Sequence, residues 1–252
     1  MTAPGGTAII DRTLDDLRAI EEKFGEFMDK VRDLLEWVPS ALEALVQPVI
    51  DLVNHINEKF AAYRRATEQF WTERGDPDKL KQVGQQWIEE FSHTVDEIAS
   101  TLHLDKLKAN IQWKGRGAET YKVAVQAQLE HLDPMKDLGE QMRDSLTSLA
   151  NGIESFWLAM KIIVGGLLAA LVSAILSALT VVGLPLTLGI ISAAISMAVA
   201  AIAGTVVAIE TLLDVIETEQ NSIQAKVDAL GDQWERTNTT TMSHPGDWRI
   251  NE

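Results

Sequence analysis

The chain has 252 residues, with 22 basic and 37 acidic side chains for a formal net charge of −15, and it contains no cysteine. That length suits one large domain or two small ones. The acidic balance disfavours capture of nucleic acid or anionic lipid by charge, and the missing thiols exclude disulfides, thiolate metal sites and cysteine nucleophiles.

Residues Met1 to Gly6 lead to Asp11 and Arg12 without the apolar centre of a secretory leader, so any export is expected to proceed without a cleavable signal peptide. From Ile10 to Trp37 the residues Leu14, Leu17, Phe24, Phe27, Val31, Leu34 and Leu35 keep a helical period, which predicts an amphipathic helix. Pro39 ends it, Ser40 with Glu43 forms a capping-box pattern, and a second helix is expected to reach about Glu73 through Leu45, Val49, Leu52, Ile56, Phe60 and Phe70. Gly75 closes that helix. Asp76, Pro77 and Asp78 then open a third, of about 36 residues, with Leu80, Val83, Trp87, Phe91, Val95, Ile98 and Leu102 on one face and an interruption near Asp105. Past residue 117 the period restarts at Ala118, Tyr121, Val125, Leu129 and Leu132 and continues to Phe156, with Asp133-Pro134 as an expected break or kink.

The charges are segregated. Ile162 to Ile209, 48 consecutive positions, carry none, a run approaching two bilayer crossings. Gly183, Leu184 and Pro185 divide it, which predicts an antiparallel apolar hairpin with arms 162–182 and 186–209. Small residues recur every four positions: Gly166, Ala170, Ala174 and Ala178 in the first arm, and Ser192, Ser196, Ala200, Gly204 and Ala208 in the second. Such rows let helix backbones approach closely in lipid. The bulky residues Leu167, Leu171, Ile175 and Leu179, with Ile195, Val199, Ile202 and Val206, are expected to form an exposed apolar face that lipid or protein must cover. A fifth amphipathic helix follows through Leu212, Ile216, Ile223, Val227, Leu230 and Trp234, paired with the segment around 139–160, and the tail has no periodicity.

The fold class expected is therefore all-α: an elongated bundle of about five long antiparallel helices. Its parts would be an N-terminal hairpin (1–75), a second hairpin (76–160), the apolar hairpin (161–210), a C-terminal helix (211–236) and a flexible tail (237–252).

Trp113-Lys114-Gly115, at the turn between two long amphipathic helices, resembles the WXG family of type VII (ESX) secretion substrates. Asp76 to Trp87 is similar to the opening of that family's first helix, and Trp113 to Tyr121 to its turn and second-helix start; the resemblance spans roughly residues 76–160. It implies a folded, leaderless helical hairpin, often paired with a related protein. Physically, Gly115 permits the reversal and Trp113 could close the open end by packing on the apolar seam. The chain departs from the family in its export signal: many substrates carry Tyr-x-x-x-Asp/Glu, whereas Tyr63 is followed four positions later by Thr67 and Tyr121 by Val125.

Catalytic chemistry is not written in this sequence. Glu90 and His93 have the spacing of a di-iron half-site but no second copy, and His55, His103, His131 and His244 form no metal spacing. There is no phosphate loop or nucleophile elbow, so no enzyme activity, cofactor, nucleic acid or small-molecule substrate is expected. Two functions remain. In one, a secreted helical protein inserts the hairpin into a membrane as an anchor, oligomeric pore or toxin-like effector. In the other, an assembly protein of a type VII system buries it against a chaperone, a WXG-like partner or a second copy of itself.

Overall fold

The computed structural model describes residues 5–38, 43–177, 183–230 and 249–250. Among them the chain is helical throughout, apart from one antiparallel bridge in which Trp113-Lys114 (β1) faces Arg249-Ile250 (β2). The helices are α1 (Gly6–Glu36), α2 (Glu43–Thr67, extended by a 3-10 turn to Trp71), α3 (Pro77–Gln86), α4 (His93–Leu102), α5 (Lys108–Gln112), α6 (Arg116–Ser177) and α7 (Leu184–Leu230). A π-helical turn, Trp87–Ser92, joins α3 to α4, so the expected third helix is continuous to Leu102 and breaks near Asp105.

Two separations expected from the sequence do not occur. Pro134 neither breaks nor ends its helix: α6 runs 62 residues from Arg116 into the charge-free segment. Proline there costs one backbone hydrogen bond, which packing of the flanking turns offsets. The boundaries at 160 and 210 likewise fall inside continuous helices. The chain divides instead into one unit of Met1–Asp78 with Ala150–Leu213, and another of Lys79–Leu149 with Asp214–Glu252.

In the first unit α1, α2, the second half of α6 and the first half of α7 share one apolar core. On α1 the buried positions Ile10, Thr13, Leu17, Ile20, Phe24, Phe27 and Val31 step alternately by three and four, and α2 does the same from Ile56 through Phe60, Tyr63, Thr67 and Phe70, with Val49 two turns earlier on the same face. That alternation keeps a stripe on one face, the condition for nearly antiparallel packing. Phe24 and Phe60 stack with ring centroids 3.6 Å apart, and Arg64 pairs with Glu21 at 3.2 Å, so α1 and α2 pack antiparallel. Pro39 and Ser40, and with them the capping-box expectation, lie outside the described residues. The buried threonines stay satisfied locally: Thr13 Oγ1 donates to the Ile9 carbonyl and Thr67 Oγ1 to that of Tyr63.

The α6–α7 pairing is antiparallel as expected. Within the first unit Gly152 lies against Leu212 so closely that an added Cβ would overlap that side chain, and Thr205 Oγ1 reaches Met160 Sδ. Within the second, Ser145 Oγ donates to Glu219 and Lys226 to Gln141. Each pair is symmetric about residues 182–184. The second unit holds a further hairpin: Gly84 meets the backbone of Arg143, Ser92 Oγ donates to the Lys136 carbonyl, and Lys136 pairs with Asp96 at 2.9 Å, all symmetric about residues 113–116.

A long-range cap anchors the first unit. The Asp78 carboxylate accepts hydrogen bonds from the backbone N–H groups of Gly6 and Thr7 and from the Thr7 hydroxyl, at 3.2, 3.0 and 2.6 Å, so it caps α1 across 71 or more positions of sequence. An acid at a helix N-terminus satisfies free donors and opposes the dipole. Asp78→Ala is expected to lower unfolding stability by about 1–2 kcal/mol in urea titration, with Asp78→Asn intermediate.

Candidate functional site

The charge-free hairpin is two-faced. Its inner face enters the shared core through Trp157, Met160, Val164, Leu167, Leu171 and Ala174 on α6, and Leu188, Ile191, Ile195, Ala198 and Ile202 on α7. The outer face is open. On α6 it runs through Leu158, Ile162, Ala169, Val172 and Leu176, and on α7 through Leu186, Ile190, Ala193, Met197, Ala200, Gly204 and Val207. Leu186, Ile190 and Met197 are 72, 56 and 66% exposed. In each arm both faces alternate steps of three and four, so apolar stripes lie on opposite sides of the same helix.

This arrangement reverses one expectation. Leu167, Leu171, Ile175, Ile195 and Ile202 are not an exposed face; they are buried, Val199 and Val206 are half-buried, and Leu179 lies outside the described residues. The apolar stripes of α1 and α2 cover them. The small-residue rows are also corrected as packing seams. From Ser192 (buried) the row passes through Ser196 (half-buried) to Ala200, Gly204 and Ala208, all exposed; Gly166 is exposed, Ala170 half-buried and Ala174 buried, and Ala178 lies outside the described residues. The reason is helical geometry: a step of four advances about 400°, so the row drifts about 40° per step and winds from one face to the other.

Residues 178–182, before the expected turn, lie outside the described residues. Gly183 precedes α7 and its carbonyl accepts from the Thr187 N–H at 3.1 Å and the Thr187 hydroxyl at 3.2 Å. Leu184 is buried, and Pro185 sits in the first turn of α7, where a missing N–H breaks no helical bond.

Two features at the inner face escape a sequence reading. Lys59 of α2, half-buried, donates from Nζ to Ser192 Oγ at 2.9 Å and to Ser196 Oγ at 2.7 Å, bringing a cation onto the charge-free segment. At the base of the hairpin Phe70, Phe156 and Trp157 form mutual edge-to-face contacts, and Trp157 Nε1–H donates to the Arg74 carbonyl at 2.8 Å. Beside them lies a cleft of about 370 Å³ lined by Ile153, Phe156, Val206 and Leu213.

In the second unit the Trp113-Lys114-Gly115 segment is a true helix reversal. Gly115 has φ +108°, a conformation that disfavours side chains, and its carbonyl accepts the first α6 bond from Glu119 N–H. Trp113 is 38% exposed, with its ring centroid 6.1 Å from that of Tyr121, and its backbone pairs with Ile250. No group of three His, Asp or Glu among the described residues could hold a metal ion.

Both α6 and α7 contain a stretch long and apolar enough to cross a membrane by length and composition. Of those stretches 33% and 28% is buried. No family model matches the chain, and comparison with curated proteins and with solved structures returns no match.

The two faces make opposite demands on stability. Leu171→Ala and Ile195→Ala are each expected to cost about 2–4 kcal/mol in urea unfolding, as core truncations do. Ile190→Ser and Met197→Ser should stay within about 0.5 kcal/mol of the parent.

Proposed function

We propose that this protein is a non-enzymatic membrane-engaging factor whose apolar hairpin meets a lipid bilayer with its outer face and then enters it, as an anchor or as an oligomeric pore. The observation that carries this reading is the outer face itself: bulky apolar residues, well exposed, on two antiparallel arms without one charge. A protein in water seldom leaves so continuous an apolar strip uncovered. The length supports lipid as the occupant. Leu184 to Ile209 spans about 39 Å as a helix, against a hydrocarbon thickness of about 30 Å. The turn at Gly183 to Leu186 carries no charge to hold it back. Once in lipid, the outward Ala200, Gly204 and Ala208 would let helices of neighbouring copies approach.

Acid should promote entry, because the net charge of −15 repels anionic surfaces until carboxylates neutralise. Glu26 is an exception. Its hydrogen bond from Lys23 at 2.7 Å holds its pKa below the usual carboxylate value, so it protonates later than an ordinary carboxylate as pH falls.

The test is flotation of detergent-free protein with phosphatidylcholine–phosphatidylglycerol vesicles between pH 7 and 4. Wild type should float increasingly as pH falls, whereas Ile190→Lys and Met197→Lys should stay in the aqueous fraction with unchanged unfolding midpoints. A wild type that ignores vesicles but associates with itself or with a helical protein would move the outer face to protein contact.

A second reading concerns delivery, and the observation that favours it is the hairpin symmetric about Trp113 to Gly115. It supports export as a type VII (ESX)-like substrate, alone or with a WXG-like partner. In a host carrying that apparatus the chain should reach the medium, and Gly115→Val should reduce the exported fraction severalfold by straining the reversal; a chain retained in the cell would overturn it.

A further inference from the structure

The inner face of the hairpin is closed by α1 and α2, and two polar groups of α2 are poorly served by that closure. The Tyr63 hydroxyl is buried in the shared core and has no hydrogen-bond partner. Burial, reinforced by the nearby Glu21 carboxylate, pushes its pKa up, so it is a neutral phenol whose donor and acceptor are both unmet. A buried polar group in that state carries its full desolvation cost. One helical turn earlier, the Lys59 ammonium is half-buried and donates to two neutral hydroxyls. A cation held by neutral partners gains less than one facing a carboxylate, and water would serve it as well.

The hairpin side of the contact is differently built. Ser196 Oγ already donates to the Ser192 carbonyl at 2.8 Å within α7, so it keeps an intrahelical partner when Lys59 withdraws. Ser192 has the same option toward the carbonyl of Leu188, four positions before it. The two hydroxyls can therefore enter a dry phase while the lysine cannot. Meanwhile the Phe24–Phe60 stack and the Arg64–Glu21 pair tie α1 to α2 without involving the hairpin.

We propose that the α1–α2 pair is a detachable cover that lifts off the apolar hairpin as one piece, with the unpaired Tyr63 hydroxyl and the Lys59 contact to Ser192 and Ser196 as the built-in weak points of the closed state. On lifting, Tyr63 and Lys59 are hydrated, the serines fall back on their own helix, and the inner face of the hairpin is freed. The cover gives the membrane reading its regulation and rests on that reading for its purpose. The opening itself is a property of the protein in water.

Because the chain has no cysteine, a single thiol reports the opening. Ala198 lies buried in the core, so Ala198→Cys should react with a maleimide only when the cover lifts, whereas Ala200→Cys on the exposed side should react at once. In the Ala198→Cys background, Tyr63→Phe keeps the ring and removes the orphan hydroxyl; it is expected to slow labelling about tenfold. Lys59→Met, which leaves no serine without a partner, should slow it in the same direction. Uptake into phosphatidylcholine–phosphatidylglycerol vesicles should slow by a similar factor in both variants.

Labelling unchanged or accelerated by Tyr63→Phe would overturn the proposal, and acceleration by Lys59→Met would make that contact a fastener and remove it as a weak point. Slower labelling with wild-type vesicle uptake would also overturn it, since entry would then not require the cover to lift. Slower labelling in a protein that never binds vesicles would leave the cover standing and remove the membrane reading alone.

Discussion

A helix without charges has no side that prefers water, and in this protein the charge-free stretches of two helices, Ile162–Ser177 of α6 and Leu184–Ile209 of α7, enter one core. An apolar arm in a four-helix arrangement can give neighbours only part of its circumference; the remainder must face something else. The first unit follows from that constraint. α1 and α2 each present one stripe alternating by threes and fours, and together they bury the inward stripes of the hairpin from Trp157 to Ala174 and from Leu188 to Ile202. Nothing on α1 or α2 can reach the opposite stripes, so Ile162, Leu176, Leu186, Ile190 and Met197 remain outside.

The ends and seams of this unit are finished with polar groups whose placement is economical. Asp78 meets the free N–H groups at the start of α1, Trp157 gives its indole N–H to a carbonyl at the end of α2, and Thr13 and Thr67 turn their hydroxyls to their own helices. Tyr63 breaks the pattern, as the one buried side-chain polar atom without a partner among the described residues. Lys59 breaks it less sharply, by bringing an ammonium to hydroxyls instead of a carboxylate. Both lie on the helix that covers the apolar arms, and local rules are most informative where a protein violates them.

The second unit is built on other terms. Its pairs, Lys136 with Asp96 and Lys226 with Gln141, are exposed and contribute little each. Gly84 and Gly139 bring α6 close to α3 and to the π turn, respectively, because an added Cβ would press on the Arg143 backbone in one case and overlap Ser92 in the other. The reversal into α6 at Gly115 uses a positive φ of 108°.

By itself the sequence determined the helical class, the reversal at Gly115, the interruption near Asp105 and the charge-free segment with proline in the first turn of its second arm. Those are local: periodicity, glycine at a positive φ and proline in a first turn act within a few residues of where they are written. Tertiary structure alone decided which face of each apolar arm is sheltered. Both faces carry apolar residues at helical spacing, so periodicity could not rank them, and only the stripes of α1 and α2, distant in sequence, break the tie. Separation in sequence also hid Asp78 at the start of α1 and Lys59 against Ser192 and Ser196. That α6 continues through Pro134 and on into the charge-free segment was likewise not legible, because helix continuity is settled by the packing on either side.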